Sequence, residues 1–271
     1  MVLACYGSAA GLRAYEPLVE DVRAAVPGVP VRLALVSGPV RRTLEARGEE
    51  APSLPEALED LAAQGARRVV VQPVLVSGGR TLDAVCQAAD AAREAPDGPE
   101  VVVAPELLAG PEDARRLAAI LSRDIPAHPA GAVLLGAHGG EGWEAPAALL
   151  SAAIAAQGRP DVLLATLHDD PDVAVARLRA AAPGARHVTL ASLMLAEGAH
   201  ARWQLWGSGL GAPSSAAHAS ANRSAAHPSW RDRLSLGGYD VSMRTAGLLH
   251  LDGVRRMFVE HATGALAAPG E

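Results

Sequence analysis

Residues 132–140 read AVLLGAHGG, an apolar run that ends in a histidine followed by two glycines. A continuous run of this kind is a strand buried on both faces, as strands of parallel sheets are, and it delivers the imidazole of His138 at its carboxyl end. His200 has a related setting, following the apolar run 188–196 through Glu197, Gly198 and Ala199. The N-terminal half repeats both settings without the histidines. Residues 2–8 (VLACYGS) put Tyr6 before Gly7 where His138 stands before Gly139, and residues 69–80 (VVVQPVLVSGGR) put Arg80 where His200 stands. The chain thus reads as a duplicated α/β unit whose second copy carries the ligand-type side chains. Loops at the carboxyl ends of strands are where open parallel sheets bind ligands. The competing reading is two structural histidines that satisfy their hydrogen bonds near loops.

Outward from this stretch, short β-branched runs alternate with Ala/Leu/Arg segments of helical period. Strands are predicted at 2–6, 31–35, 68–72, 101–104, 133–136, 162–165, 188–195 and 239–243. Helices are predicted at 12–25, 54–64, 81–95, 113–123, 145–156, 171–181 and 254–266. In the first helix Leu12, Tyr15, Leu18, Val19, Val22 and Ala25 share one face. The fold class is therefore α/β, with two similar lobes, each a mostly parallel sheet flanked by helices and related by a pseudo-twofold duplication. The N-terminal lobe is expected at 1–124. The Pro-rich stretch DIPAHPAG (124–131) marks the boundary, with the linker at 125–131, and the C-terminal lobe with the histidines spans 132–271. Residues 207–228, rich in Gly, Ala and Ser without periodicity, are expected to form a flexible insertion. Its His218 and His227 read as solvated loop histidines.

The chain has 271 residues, 49% of them hydrophobic, enough to bury two cores. Only one Phe and three Tyr are present, which favours helix–sheet packing through Ala, Leu and Val over an aromatic β-sandwich. All 24 basic residues are arginine, and a net charge of −6 without a basic block argues against a nucleic-acid binder. Cys5 falls in a strand and Cys86 in a helix, so no disulfide framework is expected. With neither a signal-type N-terminus nor an apolar run of membrane-spanning length, the sequence reads as a cytoplasmic protein with no membrane partner. Neither a phosphate-binding loop, a GxSxG elbow nor an HExxH pair is present.

The segments VLACYGS, LVSGPVRRTL (35–44), SLPEALEDLAAQGARRVVVQPVLVSGG (53–79), LLGAHGG, LMLAEGAHA and VRRMFVEHATGAL (254–266), taken in order, resemble the class II tetrapyrrole metal chelatases. The likeness is strongest to the anaerobic sirohydrochlorin cobaltochelatases and runs from Val2 to about Leu266, apart from the insertion. It implies two lobes facing across a cleft that holds a planar, carboxylate-rich macrocycle, the tetrapyrrole substrate. It also implies that His138 and His200 are the metal-binding and catalytic histidines. Two positions depart from the family pattern: His168, in LHDDP, and Arg80 each stand where a glutamate is common.

Metal insertion needs an ion held beside the macrocycle and a base for the two displaced pyrrole protons. A neutral imidazole serves both needs near neutral pH. The expected metal ligands are His138, His168 and His200, a set suited to cobalt, iron, nickel or zinc as divalent ions. The alternative for His168 is a helix N-terminal histidine beside Asp169 and Asp170. Tyr6, Ser8, Arg42, Arg80 and Gly139 are the expected substrate-binding residues, with Arg42 and Arg80, and beside them Arg41, paired to carboxylates and Gly139 giving room for a flat ligand. Trp203 and Trp206 read as core, the alternative being that they face the cleft. Two other functions stay open: a three-histidine metalloenzyme acting on a different small molecule, and a non-catalytic metal or tetrapyrrole carrier. Self-association of the chain is also open.

Overall fold

The strand that opens the chain, β1 (Val2–Cys5), is buried at every position because it has a neighbour on each side. In the computed structural model, which describes residues 1–8, 11–49, 51–198, 201–207 and 228–269, it pairs in parallel with β2 (Arg32–Leu35) and β3 (Arg68–Val74). β4 (Glu100–Val103) adds to β3, giving the order β2-β1-β3-β4. The second sheet repeats this pattern with β5 (Gly131–Ala137), β6 (Val162–Thr166), β7 (His187–Ser192) and β8 (Asp240–Arg244). All are parallel, in the order β6-β5-β7-β8. Two sheets with one strand order are the structural form of the repeat read in the sequence.

In the first half the connections run through α1 (Glu16–Ala25), α2 (Gly38–Glu45), α3 (Leu54–Ala63) and α4 (Arg80–Glu94). α5 (Pro111–Asp124) leads out of it. The second half holds α6 (Glu144–Ala156), α7 (Pro171–Ala181) and α8 (Trp230–Leu236), and α9 (Asp252–Ala267) closes the chain. Their starts are written locally. Ser53 and Glu56 form a reciprocal capping box at α3, and Ser229 and Asp232 another at α8. Ser37 caps α2 and Asp170 caps α7, each with a proline in the first turn, where its missing N–H costs nothing.

Three sequence expectations are corrected here. Ser37 and Gly38, in a stretch for which no element is predicted, are the cap and first residue of α2. The predicted helix at 12–25 begins as a 3-10 turn over Arg13–Tyr15, and its apolar face ends on Val26, because Ala25 is exposed. β7 also stops at Ser192, three residues before the predicted end.

By packing, the described residues fall into two units. One comprises Met1–Asp113, Glu141–Pro146 and Leu249–Glu271, the other Ala114–Gly140 and Ala147–Leu248. In the first, Val2, Ala4, Val69 and Val71 meet Leu54, Leu58 and Leu61 of α3 and Val85 of α4. α9 lies against α1 and β3. It is fastened by Arg255 donating to Asp21 (2.6 Å), Arg68 donating to the Ala268 carbonyl (2.6 Å) and His261 bonded to Asp113 (3.0 Å). Packing therefore groups α9 with the first sheet, whereas the sequence reading assigned all of 132–271 to the second lobe.

In the second unit Leu134, Val188 and Leu190 pack with Val175 and Leu178 of α7, Trp230 and Leu234 of α8, and Leu205 and Trp206. The last two lie on a π-helical turn, Ala201–Trp206. Its Leu205 sits where a side chain at Gly136 would be, 2.5 Å from an ideal Cβ, so β5 needs glycine at that point. Trp206 is fully buried, as expected, and Trp203 is half-buried. Among the described residues no helix is long and apolar enough to cross a membrane.

Candidate metal and substrate site

In the order β6-β5-β7-β8 the chain leaves β5 to one side and returns on the other. The carboxyl ends around β5 are thus the switch point at which open α/β sheets leave a crevice. His138 is the first residue after β5, and His168 the second after β6. The two strands end in register, Ala137 opposite Thr166, and Leu167 N–H extends the ladder to the Ala137 carbonyl at 2.9 Å. Parallel pairing therefore brings both imidazoles to one edge. Their ring centroids lie 5.6 Å apart with planes at 79°, and both residues are exposed. Two imidazoles sharing one ion at about 2.0–2.1 Å per bond would have centroids roughly 5 Å apart, close to the separation seen.

The tautomer of His138 follows from its neighbour. Nδ1 lies 3.2 Å from the Gly139 carbonyl, which can only accept, so Nδ1 donates. In the neutral ring the lone pair is then on Nε2, the arrangement in which one ring nitrogen is oriented and the other can ligate. Gly139 itself is held at φ 74°. An ideal Cβ there would come within 2.7 Å of the Thr166 side chain, so glycine is required twice, for conformation and for space.

The two carboxylates beside His168 are turned to the backbone. Asp169 Oδ2 accepts from Thr166 N–H at 2.8 Å, and Asp170 caps α7 by accepting from Asp172 N–H at 2.8 Å. Thr166 itself, passed over in the sequence reading, accepts His168 N–H on its hydroxyl at 3.3 Å. Its only sequence signal is a hydroxyl at the end of an apolar strand, two residues before a histidine.

His200 lies outside the described residues, as do His218, His227 and most of the expected insertion, residues 208–227. Its flanks are ordered by Arg202 N–H donating to the Gly198 carbonyl at 3.1 Å, and Arg202 and Glu197 stand 3.8 Å apart. Among the described residues no group of three or more His, Cys, Asp or Glu is arranged to hold a metal ion. The structure thus brings His138, His168 and Gly139 together, two of the three expected ligands and one substrate contact.

The other expected substrate contacts lie in the first unit, at the carboxyl ends of its sheet. Tyr6 follows β1 and is 53% exposed, while Ser8 is buried. Between them Gly7 (φ 89°) passes so close to Leu35 that an ideal Cβ would lie 2.6 Å from Cδ2. Beneath, burial pushes the Cys5 thiol up to about 12, so at neutral pH it is not a thiolate ligand. Arg42 is exposed on α2, whereas Arg41 is engaged by Glu56 at 2.6 Å and Glu45 at 3.4 Å and is not free for a substrate carboxylate. Arg80 opens α4 after Gly79 (φ 102°). Its Nε stands 3.5 Å from Glu141, both side chains being well exposed.

The model of the cobalt chelatase (CbiK) family matches residues 4–208, more than half of the chain. The sirohydrochlorin cobaltochelatase CbiKC of Nitratidesulfovibrio vulgaris is 27% identical over 278 residues, covering 99% of this chain and 90% of its own. SirB of Bacillus subtilis, solved with Fe3+, superposes with a TM-score of 0.61 at 10% identity, covering 98% of this chain and 94% of that one. The sirohydrochlorin chelatase SirB of B. subtilis subspecies spizizenii, solved with cobalt, gives 0.58 at 11% identity over 97% and 93%. At those identities the likeness to the solved structures is one of fold.

Proposed function

Since this chain belongs to the cobalt chelatase (CbiK) family, we propose that it inserts a divalent metal ion, Co2+ or Fe2+ and also Ni2+, into sirohydrochlorin or a related tetrapyrrole. The observation that carries the reading is the His138–His168 pair at the carboxyl ends of β5 and β6. The family match and the cobaltochelatase relative support the same chemistry.

The ion is a substrate here. His138 through Nε2, His168 and His200 hold it with imidazole nitrogen, and ligand positions stay open for transfer to the macrocycle. Insertion forms metal–nitrogen bonds to the ring and releases two pyrrole protons. Once the ion has passed to the macrocycle, the Nε2 lone pair of His138 that held it is free to accept one of these protons, and His200 accepts the other. Arg42 and Arg80 pair with the peripheral carboxylates of the substrate, and Tyr6 and Gly139 border the flat ring, whereas the buried Ser8 stays behind the surface.

The test is anaerobic incubation of the purified protein with sirohydrochlorin and Co2+, Fe2+ or Ni2+ in turn, followed by absorbance. Accelerated loss of the metal-free spectrum over the protein-free control is expected. No acceleration with any of the three ions would reject the reading. An ion tightly retained by the protein as isolated would instead favour a resident-metal enzyme acting on another small molecule.

A further inference from the structure

One residue is common to the surroundings of His138 and His168. Resting on the histidine site above, we propose that Thr166 is a positioning residue that sets His138 and His168 for metal binding. It ends β6 opposite Ala137, the residue before His138. Its side chain abuts Gly139, the residue after His138, so closely that no Cβ fits there: an ideal one would be 2.7 Å from Thr166 Cβ and 2.9 Å from its methyl. Its hydroxyl accepts the backbone N–H of His168 at 3.3 Å. Its carbonyl accepts Asp169 N–H at 3.1 Å, and its own N–H donates to Asp169 Oδ2 at 2.8 Å. These three bonds close the turn at whose apex His168 stands. The methyl side thus fixes the His138 loop, and the hydroxyl and backbone fix the His168 turn.

Threonine combines these roles in one side chain, and its variants separate them. Thr166→Val keeps the bulk against Gly139 and loses the acceptor. Thr166→Ser keeps the acceptor and loses the methyl, and Thr166→Ala loses both. The experiment is a Co2+ titration of the full chain under anaerobic conditions, read by the visible d–d absorption of bound Co2+, with a thermal melt of each variant. Removing a group that orients metal ligands costs about 10–100-fold in affinity. The expectation is a roughly tenfold weaker Kd and an altered band for Thr166→Val, more for Thr166→Ala and less for Thr166→Ser, with similar melting. Wild-type affinity and spectrum in both Thr166→Val and Thr166→Ala, while His138→Ala loses Co2+, would overturn the proposal and leave the histidine site standing. Unchanged Co2+ binding in both His138→Ala and His168→Ala would instead reject the site and the proposal with it.

Discussion

The imidazole of His138 stands edge-on to that of His168, 5.6 Å between ring centroids and 79° between planes. The residues are thirty positions apart in sequence and meet because β5 and β6 pair in parallel with Ala137 opposite Thr166. A one-residue slip in that register would turn the strand side chains to opposite faces and separate the pair. The strand pairing thus does much of the assembly of this part of the site.

Gly139 is a tight point beside the histidine pair. Gly139→Ala meets both a positive φ and the Thr166 side chain, so it should destabilise the protein by about 1–3 kcal/mol and weaken Co2+ binding together. Denaturant unfolding and Co2+ titration of the same sample would show both losses. An unaffected variant would mean that the loop adapts at no cost.

Arg80 and Glu141 form an exposed pair, 88% and 75% accessible, which contributes well under about 1 kcal/mol to stability. Arg80→Ala should therefore leave the melting temperature nearly unchanged. Its expected effect is on the substrate: weaker sirohydrochlorin binding, weaker still in Arg80→Glu, and more so at low salt, where charge pairing is least screened. Equal affinity of wild type and Arg80→Glu would place this arginine outside the binding surface.

A local source of acid sensitivity lies at the start of α3. The Ser53 backbone N–H and then Arg41 hold the Glu56 carboxyl down to about 2. An unfolded glutamate titrates near 4.3, so this stabilisation is complete above about pH 5 and is lost as pH falls toward 2. Glu56→Gln should lower stability at neutral pH and flatten its decline between about pH 5 and 2. Denaturation midpoints at pH 7 and pH 3 would check this, and equal slopes would contradict it.

Phe258, the chain's single phenylalanine, is fully buried on α9 within the first packing unit. Phe258→Ala should cost about 3–5 kcal/mol. Hydrogen exchange should show the loss in β1 and β3 as well as in α9. A loss confined to α9 would mean that this helix is not part of the first core.

What the sequence made legible follows from local signals. AVLLGAHGG announces both its strand and its histidine, and Ser53-Leu54-Pro55-Glu56 announces a helix start, because periodicity and capping are short-range. The return of α9 to the first unit was not legible, since its apolar stripe marks a buried face without saying which sheet covers it. Nor was the role of Thr166, which acts through a neighbour supplied by strand register. Arg41 read as a candidate for substrate carboxylates until its contact with Glu56, fifteen residues on, came into view.

Whether the strand-end histidines hold the metal during insertion is decided most directly by one measurement. It is the anaerobic single-turnover rate of Co2+ insertion into sirohydrochlorin by wild type, His138→Ala and His168→Ala, with folding checked by circular dichroism. A rate near the protein-free background is expected for His138→Ala and a rate reduced at least about tenfold for His168→Ala, both variants remaining folded. Wild-type rates in both folded variants would contradict a metal-holding role for these histidines.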